Sequence, residues 1–120
     1  MKKMDAALWT IIQSNAQQAA VAACPDLATA KTLVKERTIA QALAGNALEE
    51  SLRRDRDNHC AHHVLHEAWN AALSAQYEAE RVERAFLVAA TPFEDRDQWW
   101  GWGDICGDAW CAIRRYIPRD

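Results

Sequence analysis

Residues 59–89 read HCAHHVLHEAWNAALSAQYEAERVERAFLVA, and the reading of this stretch decides the fold. Leu65, Trp69 and Leu73 recur every fourth residue, with Phe86 further along. That spacing belongs to an amphipathic helix and not to a strand, whose faces alternate every residue. Neither glycine nor proline interrupts the run, so one long helix is expected from about His59 to Ala89. The part from Gln76 to Arg84 is mostly charged and is expected to be wet or at an interface.

The same logic extends to both sides. The whole chain of 120 residues holds four glycines and three prolines, and alanine is frequent throughout. Few breakers and much alanine favour helix, because alanine loses no side-chain entropy there. Period-two runs rich in Val, Ile and Thr are absent, so no strands are expected. Asp5 is a good N-cap for a first helix ending before Pro25, with Leu8, Ile12, Ala16, Ala19 and Ala23 as its apolar stripe and Trp9 beside it. A second helix is expected from about Asp26 or Thr29 to Ala44, with Leu33, Ile39, Ala40 and Leu43 buried. Gly45 would stop it, and Asn46 with Glu49 would cap a third helix over Ala47–Arg56. Asp57-Asn58 either restarts the helix or decorates one that runs on without a break. Ala90-Thr91-Pro92-Phe93 should end that helix, and Glu94-Asp95-Arg96-Asp97 should form a polar loop or first turn. A last helix would run from about Asp97 to Ile117, carrying Trp99, Trp102, Cys106, Trp110, Ile113 and Ile117 on one side. Gly103 and Gly107 lie four apart in it, and Pro118 ends it. The expected architecture is all-α: one domain spanning residues 1–120, a bundle of five or six helices.

The net charge of -3 lacks the basic footprint of a general phosphate-backbone binder, so direct nucleic-acid binding is not expected. No apolar run is long enough to span a membrane. The start, Met1-Lys2-Lys3-Met4-Asp5, is basic, but Gln13, Ser14 and Asn15 break the apolar run an export signal needs. A cytoplasmic protein is expected, in a bacterial host cell if the resemblance described below holds. Cys24, Cys60, Cys106 and Cys111 form no C-x-x-C pair, and buried free thiols are expected.

Two constellations stand out. All four histidines fall in His59-Cys60-Ala61-His62-His63-Val64-Leu65-His66-Glu67. On a helix His59 with His63, and His62 with His66, share a face, as two imidazole ligands of one transition metal would. A complete zinc site needs further ligands, and the order does not match the His-Glu-x-x-His motif. Structural histidines on a polar face therefore stand beside the metal-binding reading, and no cofactor is assigned. The second constellation is Trp99-Trp100-Gly101-Trp102, in a chain with six tryptophans. Successive helical residues point about 100° apart, so Trp99 and Trp100 cannot both bury on one face. One of them should border solvent, a second subunit of a homodimer or another partner. Tryptophan is a frequent anchor of protein interfaces. Trp99, Trp100 and Trp102 are thus candidate partner-binding anchors, with Glu94, Asp95, Arg96 and Asp97 as a polar rim. Arg53-Arg54-Asp55-Arg56-Asp57 reads as a solvated face. No phosphate cradle or nucleophile elbow is present, and Cys60 beside His59 and His63 lacks an oxyanion site and an orienting third group, so an enzyme is not expected.

Asn58-His59, Ala68-Trp69 with Ala72-Leu73, Ala90-Thr91-Pro92-Phe93, Asp95 and Trp99-Trp100 together resemble part of a phage anti-CRISPR protein over about residues 58 to 100. That family is all-helical and inhibits type I CRISPR systems by binding the Cas3 helicase-nuclease. The resemblance implies an inhibitor that sterically blocks Cas3 or a Cascade subunit through a protein–protein contact. A metal-binding helical protein using His59, His62, His63 and His66 is the alternative from a different class. A toxin-neutralising immunity protein would share the binding physics of the first.

Overall fold

The computed structural model describes residues 5–99 and 113–118. Among them are three α-helices, α1 (Ala6–Ala23), α2 (Leu27–Arg54) and α3 (His59–Ala90), followed by a 3-10 helix over Phe93–Gln98. The described residues contain no strand. The all-α expectation therefore holds among the described residues, where the helices are fewer and longer than expected.

Helix α1 begins as its sequence requires. The Asp5 carboxylate accepts the backbone N–H of Leu8 at 2.7 Å, meeting one of the donors left open in the first turn. Its end is set by Pro25, which disfavours helical backbone at the residue before it. Cys24 is accordingly extended, at φ -157 and ψ 141. Asp26 caps α2 by accepting the Thr29 N–H at 2.7 Å. That backbone bond, followed by one from the Thr29 side chain, holds the Asp26 carboxyl below its usual pKa.

Gly45 does not stop α2. The helix passes through it to Arg54 with no left-handed φ, so the two helices expected on either side are one, and Asn46 is an exposed interior residue and no cap. The reason lies across the hairpin. A Cβ built on Gly45 would come within 3.2 Å of Trp69 Nε1. Glycine here lets the indole lie close to the α2 backbone, and that packing offsets the roughly 1 kcal/mol that glycine costs inside a helix.

The chain packs as two units, residues 30–80 and the remainder. The unit of residues 30–80 is a hairpin of α2 and α3 joined at 55–58, where Asn58 caps α3 by accepting the Ala61 N–H at 3.1 Å. Leu33, Val34, Gln41, Ala44, Gly45 and Leu48 of α2 are partly covered, as are Leu65, Trp69, Ala72 and Leu73 of α3. The expected α2 face is corrected for Ile39, Ala40 and Leu43, all exposed. Helix α2 has apolar residues on two sides, and α3 takes the side carrying Gly45.

Most of the described buried residues lie in the other unit: Trp9, Ile12, Ala16 and Ala20 of α1 are buried, as are Ala85, Phe86 and Val88 of α3, Ile113 and Tyr116. The α1 stripe is thus rotated from the expected one. Trp9 is central to it, while Ala19 and Ala23 are exposed. The large indole takes the interior because it removes more apolar area from water than an alanine does. Asn15 Nδ2 donates to Tyr116 O at 2.9 Å and ties α1 to the segment 113–118. The helix expected over Asp97–Ile117 starts differently: Phe93–Gln98 is 3-10, Trp99 is in a turn, and residues 100–112 lie outside the described residues. Cys24 is a buried free thiol, whereas Cys60 is exposed, on the outer side of α3, contrary to expectation. Cys106 and Cys111 lie outside the described residues.

Candidate functional site

The proposed rim sits on the 3-10 helix directly after α3. Pro92 cannot extend α3, and the chain instead turns with Asp95 N–H donating to Pro92 O at 3.0 Å. Thr91 anchors this turn. Its hydroxyl donates to Leu87 O at 2.6 Å and accepts the Trp99 indole N–H at 3.1 Å. Its carbonyl accepts the Trp9 indole N–H at 3.0 Å and a bond from Gln13 Nε2. Gln13 also donates to Val88 O and Ala89 O, at 3.3 and 3.1 Å. Carbonyls of the last turn of α3, which no further helical turn can satisfy, are thereby capped by a side chain of α1. The turn is fixed at both ends by bonds to the core.

Glu94, Asp95 and Asp97 are exposed on this turn. Arg96 is half-buried and turned back: its Nη1 donates to Phe93 O at 2.9 Å and its guanidinium lies 3.9 Å from the Phe93 ring centre. Three carboxylates therefore face outward while the one cation among them is held against an aromatic ring. Trp99 is partly covered, its N–H already used by Thr91. It borders the turn as a supporting side chain with part of its surface open. Trp100 and Trp102 lie outside the described residues.

The histidines follow separate local contacts. His62 Nε2 lies 3.4 Å from Ser51 O across the hairpin. His63 Nε2 lies 3.1 Å from Glu67 Oε1, an exposed pair that is ionic when His63 is protonated. His66 Nδ1 is 3.1 Å from Asn70 Nδ2, and its ring meets Trp69 edge-on. The rings of His59 and His62 are 6.5 Å apart. Among the described residues, no three His, Cys, Asp or Glu side chains gather to hold one metal ion. The four imidazoles share a helix face, as their spacing requires, without converging on a point.

Thr91, Gln13 and Trp9 stand out singly in the sequence, but nothing in it shows that together they hold the acidic turn in place. The partners of Thr91 in α1 lie more than seventy residues away, and no local pattern announces such a pairing. No described helix is long and apolar enough to cross a membrane. Comparison with known protein families, with curated proteins and with solved structures returns no match.

Proposed function

We propose that this chain acts by binding another macromolecule and blocking it. Most concretely, it is a phage-encoded inhibitor covering a surface of a type I CRISPR component, Cas3 or the Cascade complex. The observation that carries this reading is the pinned acidic turn: Glu94, Asp95 and Asp97 are exposed on a backbone that Thr91, Trp9, Gln13 and Trp99 fix to the core. A fixed array of carboxylates loses little entropy on docking and steers toward a basic surface. Such a surface is expected on proteins that handle nucleic acid. The open part of Trp99, with Trp100 and Trp102 following in sequence, would supply apolar anchoring.

The test is a binding assay with purified Cas3 and purified Cascade, paired with an interference assay in cells. Reversing Asp95 and Asp97 to lysine, or replacing Trp100 by alanine, is expected to weaken binding and relieve inhibition while circular dichroism stays helical. Undiminished inhibition by both variants removes this surface from the mechanism, and failure of the unaltered chain to bind either component removes the CRISPR reading.

A further inference from the structure

The contacts of the four imidazoles sort them into two pairs. His62 reaches across the hairpin, its Nε2 3.4 Å from Ser51 O. His66 has Nδ1 3.1 Å from Asn70 Nδ2 and meets the Trp69 ring edge-on. His59 and His63 are the other pair, both exposed and one helical turn apart. Among the described residues the His59 ring makes no side-chain hydrogen bond, and it touches only the His62 ring, 6.5 Å away between centres. His63 Nε2 lies 3.1 Å from Glu67 Oε1. An ionised carboxylate only accepts, so Nε2 carries the hydrogen in that bond, and the neutral ring then holds its lone pair on Nδ1. One ring nitrogen tied to a carboxylate and the other left free is the arrangement that orients a metal-ligating histidine.

We infer that His59 and His63 form a one-turn chelate for a late divalent transition-metal ion of the zinc, copper or nickel class, with Glu67 as the carboxylate that orients His63. Side chains four apart on a helix have Cβ atoms about 5–6 Å apart. Two imidazoles at that spacing reach one ion by rotating their side chains, with the helix backbone unchanged. Both rings are exposed and free to rotate in this way. Imidazole suits zinc, copper and nickel. The two protein ligands leave the remaining positions to water, so the site holds its ion less tightly than a closed four-ligand site does. The positive end of the α3 dipole and Arg56 oppose a cation here, whereas Asp55 and Asp57, exposed on either side of Arg56, favour one. His62 and His66 stay with Ser51 and Asn70 and take no part.

Isothermal titration of zinc chloride into the full, tag-free chain tests the inference, with circular dichroism to confirm that each variant stays helical. Saturable binding of one zinc ion per chain is expected. His59→Ala and His63→Ala should each abolish it, Glu67→Gln should weaken it about tenfold, and His62→Ala and His66→Ala should leave it in place. His59→Gln and His63→Gln serve if an alanine variant loses helicity. Zinc should also raise the melting temperature of the unaltered chain and leave that of the His63→Ala chain where it was. Absence of saturable binding overturns the chelate. So does binding that survives loss of both His59 and His63, that falls equally on loss of His62 or His66, or that is lost with Cys60→Ser alone. None of these substitutions touches the acidic turn, so the outcome is separate from that of the CRISPR binding test.

Discussion

The carbonyl of Thr91 offers a quantitative test of how the core-bearing unit is held together. Thr91 is buried, and its carbonyl accepts from both Trp9 Nε1 and Gln13 Nε2. Trp9→Phe removes one donor and part of a ring that is 1% exposed. The lost hydrogen bond costs about 1 kcal/mol, because Gln13 keeps the carbonyl satisfied. The cavity left by the smaller ring adds about 1–2 kcal/mol, for a total of about 2–3 kcal/mol. Gln13→Met keeps the side chain's length without its donors. Trp9 then still serves Thr91 O and Val88 O retains the Thr91 N–H at 3.2 Å, while the partly covered Ala89 O gives up its Gln13 donor. Its cost should be about 1 kcal/mol.

The double variant differs in kind. With both donors gone, a buried carbonyl loses the side chains that satisfied it, adding a desolvation cost of about 1–2 kcal/mol that neither single variant incurs. Urea unfolding followed by far-UV circular dichroism, on all four proteins of the cycle, measures this coupling. The double variant should be less stable than the sum of the singles predicts. If the two changes add to within about 0.5 kcal/mol, the shared-acceptor argument fails.

Gly45→Ala should leave stability within about 0.5 kcal/mol of the starting protein, since the helix-propensity gain of about 1 kcal/mol is set against pushing back Trp69, whose buried Nε1 would lie 3.2 Å from the added Cβ. Gly45→Leu should lower the melting temperature, because a branched side chain displaces the indole; a melt unchanged by leucine would show that the close approach is not needed. The lowered carboxyl pKa of Asp26 gives a signed pH effect. The folded form holds the proton more weakly than the unfolded chain, so the stabilisation is complete above the ordinary aspartate pKa and fades as pH falls from there through the folded value. Asp26→Ala should therefore flatten the acid limb of the stability profile, and parallel profiles for the two proteins would refute the assignment.

Local side-chain and backbone chemistry sets several helix boundaries where the sequence places them. Asp5 caps α1, Pro25 forces Cys24 out of helix and Pro92 ends α3. Each follows from a backbone preference or a side-chain bond spanning three residues or fewer. The four-residue recurrence of Leu65, Trp69 and Leu73 likewise identified the α3 side that is partly covered. The acidic turn was legible as polar and exposed, but the inward return of Arg96 was not, because it depends on the 3-10 geometry that brings its guanidinium over Phe93.

What composition and periodicity determined, then, was helix as the class of structure and the ends set by capping and proline. Tertiary structure decided which side of α2 is inside, whether Gly45 ends a helix, and why Thr91 stands where it does. Helix α2 has apolar residues on two sides, so its own pattern cannot choose between them; Trp69 chooses by packing on the side with no Cβ. The cost of a helical glycine is small enough for that one distant contact to offset, and the carbonyls at the end of α3 are met by α1 side chains from the far end of the chain. Energies of about 1 kcal/mol settle each of these choices, and the groups that supply them meet only after folding.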